Sequence, residues 1–177
     1  MTDNVMPTVV TMNQAHCSRC TDFPDPAMEH VLRGWAQDGP AQHYQTVEDV
    51  LIRNVTTDIM RFGTVPDGNS IFIFGVAGLC IGHLGHLHHQ PNDVQYAALG
   101  RLDVVMAPVD GGTTLDLPSM MRVLKRLKSS VVIPMHWFGS YTLDVDADTP
   151  ETFTGAGSEA DAAVMEGAIS FDAVATE

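Results

Sequence analysis

The region between residues 79 and 136 alternates apolar runs with segments of helical periodicity, and this order constrains the possible fold most strongly. The apolar runs predict three strands, at residues 79–83, 102–107 and 131–133. The segments between them predict two helices, at residues 92–99 and 115–128. Strands that alternate with helices favour an α/β fold with right-handed connections between parallel strands.

The first half of the chain is richer in strand patterns. It predicts strands at residues 8–12, 30–35, 47–56 and 70–76. Pro66-Asp67-Gly68-Asn69 has the composition of a turn, and Ala77-Gly78 predicts a hairpin between residues 70–76 and 79–83. A last edge strand is expected at residues 168–174.

Acidic residues are concentrated near the end of the sequence. The chain of 177 residues has a formal net charge of −13, and residues 140–177 contain nine acids and no Lys or Arg. We therefore expect one domain over residues 1–140 and an acidic C-terminal extension over residues 141–177. The extension is expected to be a solvated arm or a docking strip for a basic partner.

The composition also excludes several classes of protein. An excess of acids argues against nucleic-acid binding, which requires clustered Lys and Arg. No apolar run reaches the ~18 residues of a membrane span. The first ten residues lack the basic and apolar regions of a secretory signal, so we expect a cytoplasmic protein.

The three cysteines are Cys17, Cys20 and Cys80, and the first two form a CxxC beside His16. An odd number of cysteines does not indicate a disulfide framework. Two reduced thiols in a loop are the simplest interpretation. A redox motif or a soft metal ligand at Cys17 or Cys20 remains open.

Histidines follow three of the predicted strands. His83, His86, His88 and His89 come after one strand, His136 ends another, and His16 follows the first. Ligands of α/β proteins gather beyond the carboxyl ends of strands. Neutral imidazoles could therefore converge on one metal ion there. Alternatively, each histidine caps or fills the structure through a hydrogen bond to the backbone.

Several segments resemble the later part of the metallo-β-lactamase fold. They are Gly68–Phe74, His83–His86, Leu99–Gly112 and Val132–His136, and the similarity extends over about residues 7–140. The resemblance implies an αββα sandwich with one or two metal ions at an edge of its sheets. It also implies hydrolysis of a lactone, ester, amide or phosphodiester, in a branch of lactonase-like hydrolases.

The metal-ligand motifs of that family are only partly present. In the first motif His16 matches, whereas Ser18 and Arg19 replace an Asp and a His. Thr57 stands at the next histidine position, beside Asp58, and His86 replaces a bridging Asp. The resemblance therefore implies one zinc or other divalent metal, or none, with His16, His86 and His136 as ligands. Weaker candidate ligands are Asp58, His83 and His89.

The resemblance leads to two hypotheses of function. The family has several strands before its first histidine motif, whereas here only 13 residues precede Gln14. A truncated sandwich would expose apolar faces, so we expect another protein chain or a homo-oligomer to cover the incomplete sheet. The first hypothesis is a non-catalytic subunit or binding module of an assembly. The second is a metal-dependent hydrolase with a reduced, mononuclear three-His site.

Overall fold

The computed structural model describes residues 7–13, 24–60, 63–136, 140–143 and 153–156. Its strands are β1 Val9–Met12, β2 His30–Arg33, β3 Tyr44–Val47, β4 Val50–Ile59, β5 Val65–Val76, β6 Leu79–His83, β7 Val104–Pro108, β8 Val131–Met135, β9 Ser140–Leu143 and β10 Phe153–Ala156. Its helices are α1 Asp93–Leu99 and α2 Leu117–Leu127. The predicted edge strand at 168–174 lies outside the described residues.

A mixed sheet of six strands, in the order β3-β4-β5-β6-β7-β8, organises these elements. Strands β3 to β6 pair antiparallel with their neighbours in sequence, whereas β6, β7 and β8 pair in parallel. Two smaller sheets join β1 with β2 and β9 with β10. The strand–helix order predicted for residues 79–136 and the α/β class are confirmed.

Two details of the sequence prediction are wrong. The strand predicted at residues 47–56 is two strands, because the chain turns at Glu48, whose φ is 54°. The turn predicted at Pro66-Asp67-Gly68-Asn69 lies inside β5. There the pairing with β4 shifts register between Thr57 and Ile59, and Asp67 has a φ of 54°. A β-bulge absorbs the turn-forming residues without ending the strand.

Side-chain caps begin both helices. Asn92 accepts a hydrogen bond from the Gln95 backbone N–H, and the Gln95 side chain accepts one from the Asn92 N–H, forming a capping box. Asp116 caps α2 by accepting from the Ser119 N–H at 2.9 Å. None of the helices in the described part of the chain is long and apolar enough to cross a membrane.

The two faces of the six-stranded sheet have different surroundings. One face packs on the helices around a core that includes Ile73, Val105, Met120 and Leu124. The β3–β5 part of the opposite face packs against β1 and β2 through a smaller cluster: Leu32, Val47, Ile52 and Phe72, with Val9, Val50 and Phe74 at its margin.

The remainder of that second face is more accessible, and we call it the open face. It consists of seven apolar side chains that the strand register places on the same side: Val76, Leu79, Ile81, Val104, Met106, Val131 and Ile133. Leu79, Val131 and Ile133 are 47%, 39% and 41% exposed, and the others are partly buried. None of these seven side chains belongs to either of the two core clusters found among the described residues.

Candidate histidine cluster

Four histidines lie around the carboxyl ends of β6 and β8. His83 ends β6, His86 and His88 follow in the next loop, and His136 comes directly after β8. The ring of His86 neighbours the rings of His88 and His136. The distances between ring centroids are 5.2 Å to His88 and 5.3 Å to His136. Two histidines that follow different strands, His86 and His136, are therefore neighbours.

His86 is held at both its backbone and its ring. Its backbone N–H donates a hydrogen bond to Oδ1 of Asn69 at 2.7 Å. Its Nδ1 lies 3.1 Å from Nε2 of His88, so the two rings are joined by a hydrogen bond. Only 4% of the residue is exposed, so its ring lies in the interior of the protein.

His136 adopts an unusual backbone conformation, with a φ of 58°. This left-handed region is sparsely populated by residues other than glycine, although histidine is among the more tolerant types. Its Nδ1 is buried and has no hydrogen-bond partner within the described parts of the chain. A buried ring nitrogen without a partner is costly, so this atom marks a place where a ligand could bind.

His83 is a neutral acceptor in the cluster. Its Nδ1 accepts a hydrogen bond from the Gly85 backbone N–H at 3.1 Å. Burial is the main cause that lowers the pKa of His83; a backbone hydrogen bond opposes it in part, and the charge of His136 adds a smaller lowering effect. The ring therefore carries its proton on Nε2 at neutral pH.

Two of the weaker candidate ligands bond to the backbone instead. The Asp58 N–H donates to Nε2 of His89 at 3.1 Å, and Nδ1 of His89 lies 2.9 Å from the Gln90 carbonyl oxygen. Both ring nitrogens of His89 are therefore engaged. Oδ1 of Asp58 accepts a hydrogen bond from the Asp67 N–H at 3.0 Å. These contacts tie the β4–β5 bulge to the loop after β6.

Thr57, at the position of a histidine in the family motif, is part of the buried structure. Its side chain is almost fully buried, and its Oγ1 accepts a hydrogen bond from Nδ2 of Asn69 at 2.9 Å. A hydroxyl bonded in this way satisfies the neighbouring amide and is a poor substitute for an imidazole ligand.

Asp110 belongs to the surroundings of His136 and is not among the residues that the sequence indicates as ligands. Burial alone would raise the pKa of Asp110, but hydrogen bonds from Thr113 and Thr114, together with the charge of His136, hold the pKa below its ordinary value. The signal that could have indicated it is its place in Asp-Gly-Gly-Thr-Thr, two residues after β7.

The arrangement can be compared with the needs of a metal centre. Within the described residues, no group of three or more His, Cys, Asp or Glu side chains is arranged to hold a metal ion. Thr57, Asp58 and His89 are occupied as described, so these residues do not fit a two-metal centre. His16, Cys17 and Cys20 lie outside the described residues, which leaves the three-His set of His16, His86 and His136 a prediction. Cys80 is half-buried and packs beside the helix-side core.

Comparison with known proteins identifies the relatives of this arrangement. A family model described as a beta-lactamase superfamily domain matches residues 1–136. A metallo-beta-lactamase superfamily protein from Thermotoga maritima shares 26% identity over 73% of this chain, with a TM-score of 0.52. The metallo-beta-lactamase fold protein YhfI from Bacillus subtilis shares 12% identity over 75% of this chain, with a TM-score of 0.47. The chain spans 58% and 52% of the lengths of these two proteins. No curated protein sequence matches it.

Proposed function

Since the chain belongs to the metallo-β-lactamase superfamily, we propose that it is a non-catalytic member that works as a binding subunit, with its open face packed against another protein chain. The observation that carries this proposal is the open face itself. The replaced ligand positions support the non-catalytic part of it.

The open face has the chemistry of a protein interface. His83 lies on the same side of the sheet as the seven apolar side chains of the open face. Its ring is neutral at neutral pH, because its pKa is lowered. Strands lie ~4.8 Å apart and same-face residues ~6.8 Å apart, so these eight positions cover on the order of 250 Å² of sheet plane. This area approaches that of the largest apolar patches on monomeric proteins, which are often functional, and it supports the open face as a place for another protein to bind.

The partner that fits such a face best is a second sheet. Two sheets pack face to face about 10 Å apart through apolar side chains, and the helices of this chain already cover the opposite face. A partner sheet on the open face would complete the layer order helix–sheet–sheet. A second copy of this chain meets the requirement, because an uncharged apolar patch can pack on itself around a two-fold axis.

The loss of catalysis is supported by the way the family's ligand positions are used. Thr57 and Asp58 stabilise the junction of β4 with β5 by hydrogen bonds, and an imidazole replaces the bridging carboxylate at His86. With a threonine at one ligand position and no carboxylate at the bridging position, fewer protein ligands remain to hold a second ion. We infer that this end of the sheet has a structural role in the chain.

Sedimentation velocity of the purified protein tests the binding role. We expect the wild type to sediment as an assembly larger than one chain, and Ile133→Lys on the open face to reduce it to the single chain. Val94→Lys on α1 is the matched control, because Val94 is 78% exposed in the helical layer on the other side of the sheet. A wild type that sediments as a monodisperse single chain would contradict self-association through this face.

The unpartnered Nδ1 of His136 favours a second candidate function, that of a metal-dependent hydrolase with one ion held by His16, His86 and His136. A bound zinc ion would polarise a lactone, ester or phosphodiester and activate water for attack. In this case His136 would bind the ion through its buried Nδ1. The negatively charged carboxylate of Asp110 would interact with His136.

Elemental analysis of the protein, purified without chelators, separates the two functions. The hydrolase requires close to one equivalent of zinc or another divalent metal, and a loss of that metal in His136→Gln. A content below about one tenth of an equivalent rules the hydrolase out, because a structural or catalytic metal site is normally filled after purification.

A further inference from the structure

The amide side chains of Asn13, which is partly buried, and Asn69, which is buried, connect other segments to β5. Asn13, directly after β1, pairs with the backbone of Ser70 in β5. Its Nδ2 donates to the Ser70 carbonyl oxygen at 2.9 Å, and its Oδ1 accepts from the Ser70 N–H at 2.7 Å. Ser70 Oγ in turn donates to the Gly34 carbonyl oxygen at 2.9 Å. One side chain therefore fixes the end of β1 to the centre of the large sheet.

Asn69, the neighbour of Ser70, makes the equivalent connection to the loop after β6. Its Oδ1 accepts from the His86 N–H at 2.7 Å, and its Nδ2 donates to Thr57 Oγ1 and to the Leu84 carbonyl oxygen at 2.9 and 3.2 Å. The residue is 1% exposed. Both amide hydrogens and the amide oxygen are satisfied, so this side chain has one well-defined position.

Two glycines leave the space that these amides occupy. A Cβ at Gly34 would lie 2.5 Å from Oδ1 of Asn13 and 2.7 Å from Cβ of Ser70. A Cβ at Gly85 would collide with the amide groups of both Asn13 and Asn69. Gly85 also has a φ of 63°, which glycine adopts readily. Because Gly85 has no side chain, the loop that leads to His86 can pass close to the two amides.

We propose that Asn13 and Asn69 are positioning residues, which lock the end of β1 and the loop carrying His86 onto β5 by amide hydrogen bonds. In this proposal, amide hydrogen bonds rather than metal coordination order the loop that carries His86. The inference holds for a binding subunit and for a single-metal enzyme alike, because it concerns what orders the His86 loop before any ligand binds.

Hydrogen exchange at the His86 backbone N–H tests the proposal, because this N–H donates directly to Asn69. Exchange measured by NMR is expected to be at least about tenfold faster in Asn69→Leu, which has similar volume and no acceptor. Asn69→Asp keeps the acceptor oxygen for the His86 N–H but turns a second oxygen toward the Leu84 carbonyl oxygen. It is therefore expected to exchange at a rate between those of Asn69→Leu and the wild type. Gln90→Leu, an exposed site in the same loop, is the control and is expected to leave the exchange unchanged.

The same measurement is repeated with a chelator and with added zinc. The proposal expects His86 exchange to be insensitive to both. It is overturned if folded Asn69→Leu exchanges at the wild-type rate, or if the chelator accelerates wild-type exchange about tenfold, because a metal would then hold the loop. If Asn69→Leu does not fold, Thr57→Val, which removes only the hydroxyl bonded to Asn69, replaces it with an expected increase of about threefold.

Discussion

The rings of His86 and His136 lie 5.3 Å apart between centroids and tilted by 50°, although 49 residues separate them in the chain. The parallel pairing of β6 with β7 and of β7 with β8 produces this contact, because it brings the carboxyl ends of the strands to one edge. The pair combines a buried ring bonded to His88 with a ring whose Nδ1 lacks a partner within the described residues.

The unpartnered Nδ1 of His136 distinguishes this residue from His43, whose ring nitrogen lies near a carbonyl oxygen. In metal-free protein, His136→Phe removes an unpartnered buried nitrogen but places a bulky residue at a φ of 58°. These two effects should offset each other and leave the free energy of unfolding within ~0.5 kcal/mol of the wild type. His43→Phe is the matched comparison. Nε2 of His43 lies 2.6 Å from the Arg33 carbonyl oxygen, and its ring stacks on Phe72. Its replacement should lower the free energy by ~1 kcal/mol.

Urea unfolding monitored by circular dichroism measures both values. An equal loss of stability in the two variants would show that Nδ1 of His136 has a partner in the protein.

Gly85 and Gly78 allow the packing against the amides to be separated from backbone strain. Both have positive φ, at 63° and 80°, but a Cβ at Gly78 would meet nothing within 4 Å. Gly78→Ala should therefore cost ~1 kcal/mol from the backbone alone. Gly85→Ala should cost a further ~1–3 kcal/mol, since its Cβ collides with Asn13 and Asn69.

Thermal or urea denaturation of the two variants gives the difference directly. Similar losses in Gly85→Ala and Gly78→Ala would mean that the loop can move away from the amides at little cost.

The sequence alone predicted the second half of the fold better than the first. Helix α2 was clear because its apolar residues repeat at helical spacing, and Asp116 and Lys128 lie at its ends. The strand break at Glu48 was missed because the flanking residues are all compatible with strands, and a single left-handed residue makes the turn. The bulge in β5 was mistaken for a turn because the same residue types serve both purposes.

The sequence indicates histidines near the ends of strands, and it does not indicate which atoms they bond. His86 and His136 could be selected because histidines at strand ends are uncommon and share an edge. Asp58 and His89 looked like ligands, since a sequence does not show which ring or carboxylate atoms bond to the backbone. Asn13 and Asn69 were missed because a lone asparagine beside a strand usually indicates a turn, and only tertiary pairing reveals their role.

The lowered pKa of His83 predicts how stability depends on pH. Burial is the main cause, with a smaller contribution from the charge of His136. Because the folded pKa lies below the unfolded value of about 6.5, unfolding takes up a proton as the pH falls below that value. Stability should thus be fully present above pH ~6.5 and decline as the pH falls through the lower folded pKa.

His83→Asn should flatten this decline, because Oδ1 of asparagine can still accept from the Gly85 N–H but does not titrate. Unfolding free energies measured between neutral pH and about pH 5 give the two slopes, and an NMR titration of the His83 ring identifies their source. Identical slopes in the two proteins would assign the decline to other groups.

Asp110 predicts a loss of stability at lower pH. Its folded pKa is below the ordinary value, despite burial, because Thr113 and Thr114 donate to the carboxylate. The stabilisation is present above about pH 4, where the unfolded carboxyl is charged, and disappears as the pH falls through the folded pKa. Thr114→Val should therefore cost ~0.5–1.5 kcal/mol at pH 7 and less at about pH 3.

Thr46→Val, at an exposed position in β3, provides the comparison and should change stability little. Chemical denaturation at the two pH values is the measurement. A deficit of Thr114→Val that is as large at about pH 3 as at pH 7 would exclude the charge on Asp110 as its source.

The sequential order of β3, β4, β5 and β6 in the sheet also has a kinetic consequence. Each of these strands pairs with the strand that precedes or follows it in the chain, so closing the meander requires only short loops. Strands β7 and β8 can join only after α1 and α2 have crossed over the sheet. During synthesis the whole meander leaves the ribosome before α2 and β8, and we expect it to act as the folding nucleus for the rest of the domain.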